Sequence, residues 1–252
     1  MIPHKRQLAI LATIEEMDIV SVADLAEQFN VSHMTIRRDI AKLESVGKVV
    51  TVTGGVKRVQ PLYFELTHEQ KSEVMKSEKE AIGVYAAGII PKNSVVYLDA
   101  GTTCLAIAHC LNDRDDLLVI TNDFCIVNHL IRYFPGRLYH TGGKINHENS
   151  SSVGNSAATL IKTMNIDLAF ISSSSWHKQG ISTPSEDKVI VKQSVVDVSM
   201  RNILVSDHSK YGKVAAFNVL PLHVFDLIIT DTGFSSENES ELKEMGISLV
   251  KV

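Results

Sequence analysis

Arg37 and Arg38 stand side by side in a polar run that also holds His33 and Thr35, directly after Ser32. Two guanidiniums beside a hydroxyl and an imidazole suit phosphate oxygens and the edges of DNA bases. Lys42 and Lys48 extend the same positive charge. A second group lies at Asp99-Ala100-Gly101-Thr102-Thr103. A glycine flanked by hydroxyls at a helix start offers free amides, donors and the positive end of a helix dipole, which suits a phosphate. An ordinary capped strand-to-helix turn uses the same residue types, and the spacing is neither a P-loop nor a dinucleotide fingerprint.

Similar polar, glycine-bearing groups recur at Thr121-Asn122-Asp123, Thr141-Gly142-Gly143-Lys144, Ser172 to Ser175, Asp207-His208-Ser209-Lys210 and Thr230-Asp231-Thr232-Gly233. If all end strands of one sheet they converge on one crevice, a site for a small polar ligand. Lys210 is the best cation for a phosphate or carboxylate there, with Asp207 hydrogen-bonding a hydroxyl. No catalytic set emerges. The histidines at 33, 129, 140, 147, 177 and 208 lack metal-ligand spacing, and Ser172 to Ser175 lacks a nucleophile elbow. Trp176 either closes over a ligand or anchors a loop.

The elements that position these groups follow from periodicity. Ile36, Ile40 and Leu43 fall at i, i+4, i+7 behind Ser32, which predicts a capped helix with one apolar face and the arginines on the other. Two helices precede it, one over Lys5 to Met17 and one from the Ser21-Val22-Ala23-Asp24 start to Phe29. Asn30 as a left-handed turn residue leaves a connection so short that the last two helices must cross steeply, a helix-turn-helix. Gly47 stops the third helix, and Lys48 to Val56 reads as a hairpin wing. The DNA-binding domain thus spans 1–57, a charged, proline-bearing linker 58–75, and the rest 76–252.

A helix from about Glu73 to Ile90 should open the larger domain. Short apolar runs then begin at Ser94, Leu117, Arg137, Leu168, Asn202 and Leu227, with helical stretches between them at Thr103, Phe124, Ser156 and Glu186. That alternation predicts an α/β domain with a largely parallel sheet and functional loops at its strand C-termini.

The totals set bounds. Of 252 residues, 44% are hydrophobic and 21% charged, enough apolar mass for a packed core. The net charge of −4 argues against a nucleic-acid partner until it is divided: residues 1–60 hold eight Lys/Arg and seven Asp/Glu, a balance of +1, leaving −5 for the rest. Three cysteines without C-x-x-C spacing fit reduced thiols and neither a zinc nor a disulfide framework. No 18-residue apolar run or secretory segment occurs, so the expectation is a soluble, cytoplasmic protein without a membrane partner.

Val31-Ser32-x-x-Thr35-Ile36-Arg37-Arg38-Asp39, continuing to Leu43-Glu44-x-x-Gly47, closely resembles the helix-turn-helix signature of the DeoR family of bacterial transcriptional regulators. Leu98 to Thr103, Thr121-Asn122, Thr141-Gly142-Gly143, Val153-Gly154, Asp207 to Gly212 and Ile229-Thr230-Asp231 resemble the sensor domain of that family, in order. The resemblance implies a winged helix-turn-helix joined to a sensor fold similar to ribose-5-phosphate isomerase and CoA transferases. The family usually binds a phosphorylated sugar or sugar-derived metabolite. It places Asp99, Gly101, Thr102 and Thr103 on the phosphate side, with Asn122, Gly143, Asp207 and Lys210 in the same pocket and Glu186 and Lys192 on a charged helix near it. Two departures stand out. Thr51 and Thr53 replace the usual wing Arg and His, which implies weaker wing contacts to phosphate, and Ser173-Ser174-Ser175-Trp176 replaces a small-small-glycine turn, which implies a different effector.

The expected function is a repressor of a carbohydrate-metabolism operon, not an enzyme, with no cofactor and no metal. Operator DNA would be read through Ser32, His33, Thr35, Arg37, Arg38, Lys42 and Lys48. A homodimer or homotetramer is expected, because paired half-sites multiply specificity. The alternatives are a sugar-phosphate isomerase- or deaminase-like enzyme using Asp99, Asp207 or Glu186 as general base, and a helix-turn-helix used for protein contact.

Overall fold

The computed structural model describes residues 2–52 and 54–252. Helix α1 (Pro3–Met17) starts with proline where no amide partner is needed, and strand β1 (Ile19–Val20) follows. Helix α2 (Val22–Phe29) is capped by Ser21, whose Oγ accepts from the Asp24 amide at 3.0 Å, and ends at Asn30 in the left-handed region with φ 49°. Helix α3 (His33–Ser45) is capped by Ser32. Its apolar stripe, Ile36, Ile40 and Leu43, packs against Ile10, Ile14 and Leu25 in a small closed core. Asp39 is buried on the same side, where Arg6 Nε donates to Oδ2 at 2.5 Å and Gln7 Nε2 to Oδ1 at 2.9 Å, tying α1 to α3. The wing is a hairpin of β2 (Val49–Val52) and β3 (Gly55–Arg58), with β1 added antiparallel to β3.

The stretch read as a linker is structured. It holds β4 (Gln60–Leu62) and α4 (His68–Glu73), whose Thr67 and Gln70 form a reciprocal capping box. After α5 (Lys76–Gly88) the alternation proceeds as β5 (Val95–Leu98), α6 (Thr102–His109), β6 (Leu118–Thr121), α7 (Phe124–Tyr133) and β7 (Arg137–His140). A hairpin of β8 (Lys144–Asn146) and β9 (Ser151–Val153) leads to α8 (Asn155–Ile161) and β10 (Ile166–Ser172). Then come β11 (Ser175–His177), β12 (Gly180–Thr183), α9 (Glu186–Val198), β13 (Ser199–Val205), β14 (Lys213–Ala215), β15 (Phe217–Leu220), β16 (Leu227–Thr230), α10 (Ser236–Glu244) and β17 (Leu249–Lys251).

Seven strands form one parallel sheet in the order β17-β16-β13-β10-β5-β6-β7. Both faces are covered, so alternate residues of a strand enter different cores. Tyr97, Ala169, Ile171 and Leu204 pack with Val191 and Val195 of α9, while Val96, Leu98, Phe170 and Ile203 pack with Ile82 and Ile107 of α5 and α6. From β5 the order runs outward to β6 and β7, and from β10 it runs the other way. The β5–β10 junction is therefore a topological switch point, where a crevice opens past the strand ends.

Trp176 is fully buried against Phe234 (centroids 5.5 Å, stacked) and Tyr211 (4.7 Å, edge-on), and Val50 of the wing joins this cluster. Trp176 thus anchors a loop and supports the junction between the domains. Strand β4 pairs parallel with β14, making a second seam there.

Candidate functional site

Helix α3 presents the two faces that its periodicity implies. His33, Arg37, Arg38, Lys42 and Lys48 are exposed, Thr35 is half-buried, and the opposite face of α3 is core. Ser32 Oγ accepts from the Thr35 amide at 3.2 Å and lies 3.0 Å from the Thr35 hydroxyl, so both set the helix start. Met34, 69% exposed on the same first turn, escaped the sequence reading. An apolar group there suits a thymine methyl, and only a pattern search restricted to polar residues would pass over it. Thr51 turns inward: Glu44 Oε1 accepts from its amide at 2.7 Å and from its hydroxyl at 2.9 Å, so this wing residue braces α3. Thr53 lies outside the described residues.

The second site is a cleft of about 930 Å³, including its open mouth, at the switch point. Asp99 directly follows β5, and its Oδ2 accepts from the Ser172 amide at 3.0 Å and the Ser172 hydroxyl at 3.2 Å across the junction, and from Lys192 Nζ. Gly101 follows at φ 149°. A Cβ there would stand 2.9 Å from Ser172 Oγ, so glycine lets the turn close on β10. Its amide donates to Asp123 Oδ2 at 3.0 Å. Helix α6 begins at the cleft with Thr102 and Thr103, which directs the unpaired amides of its first turn and its positive dipole end there.

Six lysines line this cleft, Lys71, Lys79, Lys188, Lys192, Lys210 and Lys213, against the carboxylates of Glu65 and Asp99. Lys79 is buried, with Nζ donating to the Val74 carbonyl at 2.6 Å and to that of Lys71. Burial lowers its pKa to about 8, and Lys210 and Lys71 add to the effect against the pull of Asp207. Asp123 moves the other way. Burial raises its pKa to about 6, although the amides of Ile126, Cys125 and Gly101 all stabilise its charged form. His68, Asp123 and Cys125 bring ligand-type atoms within 4.8 Å of one another. Asp123 already serves three amides, and besides burial the charges of Lys71 and Lys79 lower the His68 pKa, an environment that disfavours a bound cation.

Of the predicted pocket residues, Asp99, Gly101, Thr102, Thr103, Asn122 and Lys210 meet at the cleft. Asn122 is held by the Tyr97 hydroxyl, which donates to Oδ1 at 2.9 Å, and by its own Nδ2 donating to the Ser152 carbonyl at 2.9 Å. Asp207 sits just behind, with Oδ1 accepting from the Ser209 amide at 3.1 Å and Oδ2 lying 3.8 Å from Lys210 Nζ. Two residues stand elsewhere. Gly143 packs on α8, where a Cβ would meet the Ala157 amide nitrogen at 3.1 Å, and Glu186 is exposed at the first position of α9. Neither lines the cleft.

Residues 6–61 match the DeoR-like helix-turn-helix domain, and residues 74–232 match the DeoR C terminal sensor domain. The chain belongs to the DeoR family of transcriptional regulators. This DeoR-family protein is 46% identical over 252 residues to an HTH-type transcriptional regulator from Haemophilus influenzae, covering 100% of this chain and 98% of that protein. It is 46% identical to the regulator YgbI from Escherichia coli, covering 99% and 98%. The glycerol-3-phosphate regulon repressor of Escherichia coli is 28% identical, covering 90% of each chain. Among solved structures, ribose 5-phosphate isomerase A from Methanocaldococcus jannaschii aligns with a TM-score of 0.40 at 13% identity, covering 54% of this chain and 55% of that one.

The regulator's α9 carries Lys192, which the resemblance placed near the pocket, and Lys188, which the sequence reading left out. Lys188 and Lys192 share the buried face of the helix with Val191 and Val195. The i, i+3, i+4, i+7 spacing of these four residues is a signal for lysines aimed inward. Lys71, Lys79 and Glu65 come from the presumed linker and its following helix, where a charged residue reads as solvated. No helix of the described residues is long and apolar enough to cross a membrane.

Proposed function

We propose that this DNA-binding regulator represses a carbohydrate-metabolism operon and is released by a phosphorylated sugar or sugar-derived metabolite. Ser32, His33, Thr35, Arg37, Arg38, Lys42 and Lys48 form its operator-contacting set, and Asp99, Gly101, Thr102, Thr103, Asn122 and Lys210 its effector set. The observation that carries the effector reading is the convergence of six lysines and a helix N-terminus on one switch-point cleft. Such an excess of positive charge suits a phosphorylated compound. The acids considered as general bases do not support turnover: Asp99 is held by Lys192 and Ser172, Asp207 by Ser209, and Glu186 lies outside the cleft.

Release follows if the ligand favours an arrangement of paired reading heads that no longer fits the operator spacing. The protein then acts as a homodimer or homotetramer on cytoplasmic DNA. Thermal shift against a panel of sugar phosphates, followed by operator binding with and without each hit, tests this. A hit that raises Tm, weakens operator binding and loses its effect in Lys210→Ala supports the reading. A panel without any hit, or a full shift retained by Lys210→Ala, overturns it.

A further inference from the structure

Glu65 belongs to the connection between β4 and α4, yet its carboxylate reaches into the effector cleft. Oε2 accepts from Lys71 Nζ at 2.5 Å and Lys188 Nζ at 2.8 Å, and Oε1 from the hydroxyls of Ser174 at 3.1 Å and Thr183 at 3.5 Å. These donors come from α4, the turn after β10, the end of β12 and α9, so four separate segments converge on one carboxylate. The Glu65 side chain is only 8% exposed. Burial alone would raise its pKa, but Lys188 and Lys71 hold it well below the ordinary carboxylate range.

The residues around it are held far less. Tyr63 and Phe64 are 75% and 86% exposed, so apolar burial does not hold these two residues, and the Glu65 carboxylate joins Leu62 and Leu66 in tying the segment to the cleft. Lys192 is already matched by Asp99, so removing Glu65 would leave Lys71 and Lys188 facing an empty anion seat inside a ligand pocket. The seat also uses other residues than the phosphate side, which the effector reading assigns to Thr102, Thr103 and Lys210.

We propose that Glu65 is an internal stand-in for a second anionic group of the effector. The ligand is then a sugar-derived compound with a phosphate at one end and a carboxylate at the other, and its carboxylate displaces Glu65 from Lys71 and Lys188. The inference rests on the effector reading above and narrows its ligand class. A carboxylate is favoured over a second phosphate because each Glu65 oxygen meets one pair of donors, a planar two-oxygen match. Displacing Glu65 also frees the segment that joins the DNA-binding domain to the sensor, which gives the ligand a direct hold on the reading head.

The test uses the full chain, as wild type, Glu65→Ala and Glu65→Gln, titrated with polyol phosphates, the matching phosphorylated aldonic acids and the matching bisphosphates of four to six carbons. Removing an internal competitor raises the fraction of open sites, so Glu65→Ala should bind the acid phosphate about tenfold more tightly and the polyol phosphate within about twofold of wild type. Formate should raise the Tm of Glu65→Ala and leave wild type unchanged. Equal gains or losses for polyol and acid phosphates, or no formate effect, overturn the proposal. A preference for the bisphosphates overturns the carboxylate assignment. Glu65→Gln keeps the side-chain shape and decides the same contrast if Glu65→Ala does not fold. If no phosphorylated compound binds any variant, the effector reading falls, while the formate result still reports on the seat.

Discussion

Lys178, in the turn between β11 and β12, places its ammonium 2.8 Å from Glu44 Oε2 near the C-terminal end of α3. The other Glu44 oxygen serves Thr51 of the wing, so one carboxylate joins helix, wing and sensor domain. Lys178 also pairs with Glu241 of α10, and Gln179 donates to the Ser45 carbonyl beside it. Lys178→Ala would leave two carboxylates facing each other without a cation. The expected loss is about 1–3 kcal/mol in urea unfolding, with Lys178→Arg recovering most of it. Unchanged stability in the alanine variant would show that the junction does not depend on this pair.

Arg37 and Arg38 are solvent-facing while Ile36 and Ile40 on either side are core, so either arginine can be removed without disturbing the fold. Each Arg→Ala change should weaken operator binding by about 1–3 kcal/mol if the side chain reads a base, and should lower the salt slope by about 1 if it touches phosphate. Arg201→Ala, on the exposed start of β13, serves as control. Gel shifts at several salt concentrations separate the two roles. Operator affinity unchanged in both arginine variants would remove α3 from the interface.

Lys79 gives the cleft a pH dependence with a definite sign. Its folded pKa of about 8 lies below the roughly 10.4 of an unfolded lysine, so burial disfavours the charged form. For stability, this group becomes less unfavourable as pH rises from about 8 towards 10, because the folded state sheds the proton first. For ligand binding the sign reverses. An anion prefers the ammonium, so affinity for a phosphorylated ligand should fall as pH rises through about 8, and binding near pH 8 should take up protons. Calorimetry in buffers of different ionisation enthalpy reads that uptake directly, and Lys79→Met should abolish it. Proton uptake unchanged in Lys79→Met would assign it to another group.

The DNA-binding domain and the sheet were legible in the sequence because burial is one-sided or alternating there. Ile36, Ile40 and Leu43 announce α3, Ser21 and Ser32 act as the caps their positions imply, and each of the six predicted runs is a strand of the parallel sheet. The cleft was legible only where polar groups follow strands, as at Asp99 to Thr103. Its positive charge was mostly hidden. Lys192 was reached only through the family pattern, Lys188 is buried by a helix that a charge-based reading turns outward, and Glu65 enters the cleft through a fold of the connection that no local pattern encodes. Helix α10 and β17 were also missed, since a run with four glutamates and a final three-residue strand carry little apolar periodicity. Glu186 and Gly143 are the reverse case, named by pattern but not lining the cleft. They occupy family-pattern positions, but one faces solvent and the other packs a helix.

The junction between the domains narrows to Gly212 and Val50. Gly212 follows the 208–210 turn that brings Lys210 to the cleft, and its amide donates to the Trp176 carbonyl at 2.9 Å while its carbonyl accepts from Gln60 at 3.2 Å. It sits at φ 78°, and a Cβ there would lie 2.8 Å from Val50 Cγ1 of the wing. Gly212→Ala therefore meets two penalties, left-handed backbone strain and a clash with the wing. It should destabilise by more than about 1 kcal/mol. Val50→Ala removes the clashing methyls but not the strain, so the double variant should be more stable than the sum of the single losses by at least about 0.5 kcal/mol. Urea unfolding of the four proteins measures that coupling. Strict additivity would mean that the wing yields freely at Gly212, and that the turn bearing Lys210 has no rigid contact through which to move the reading head.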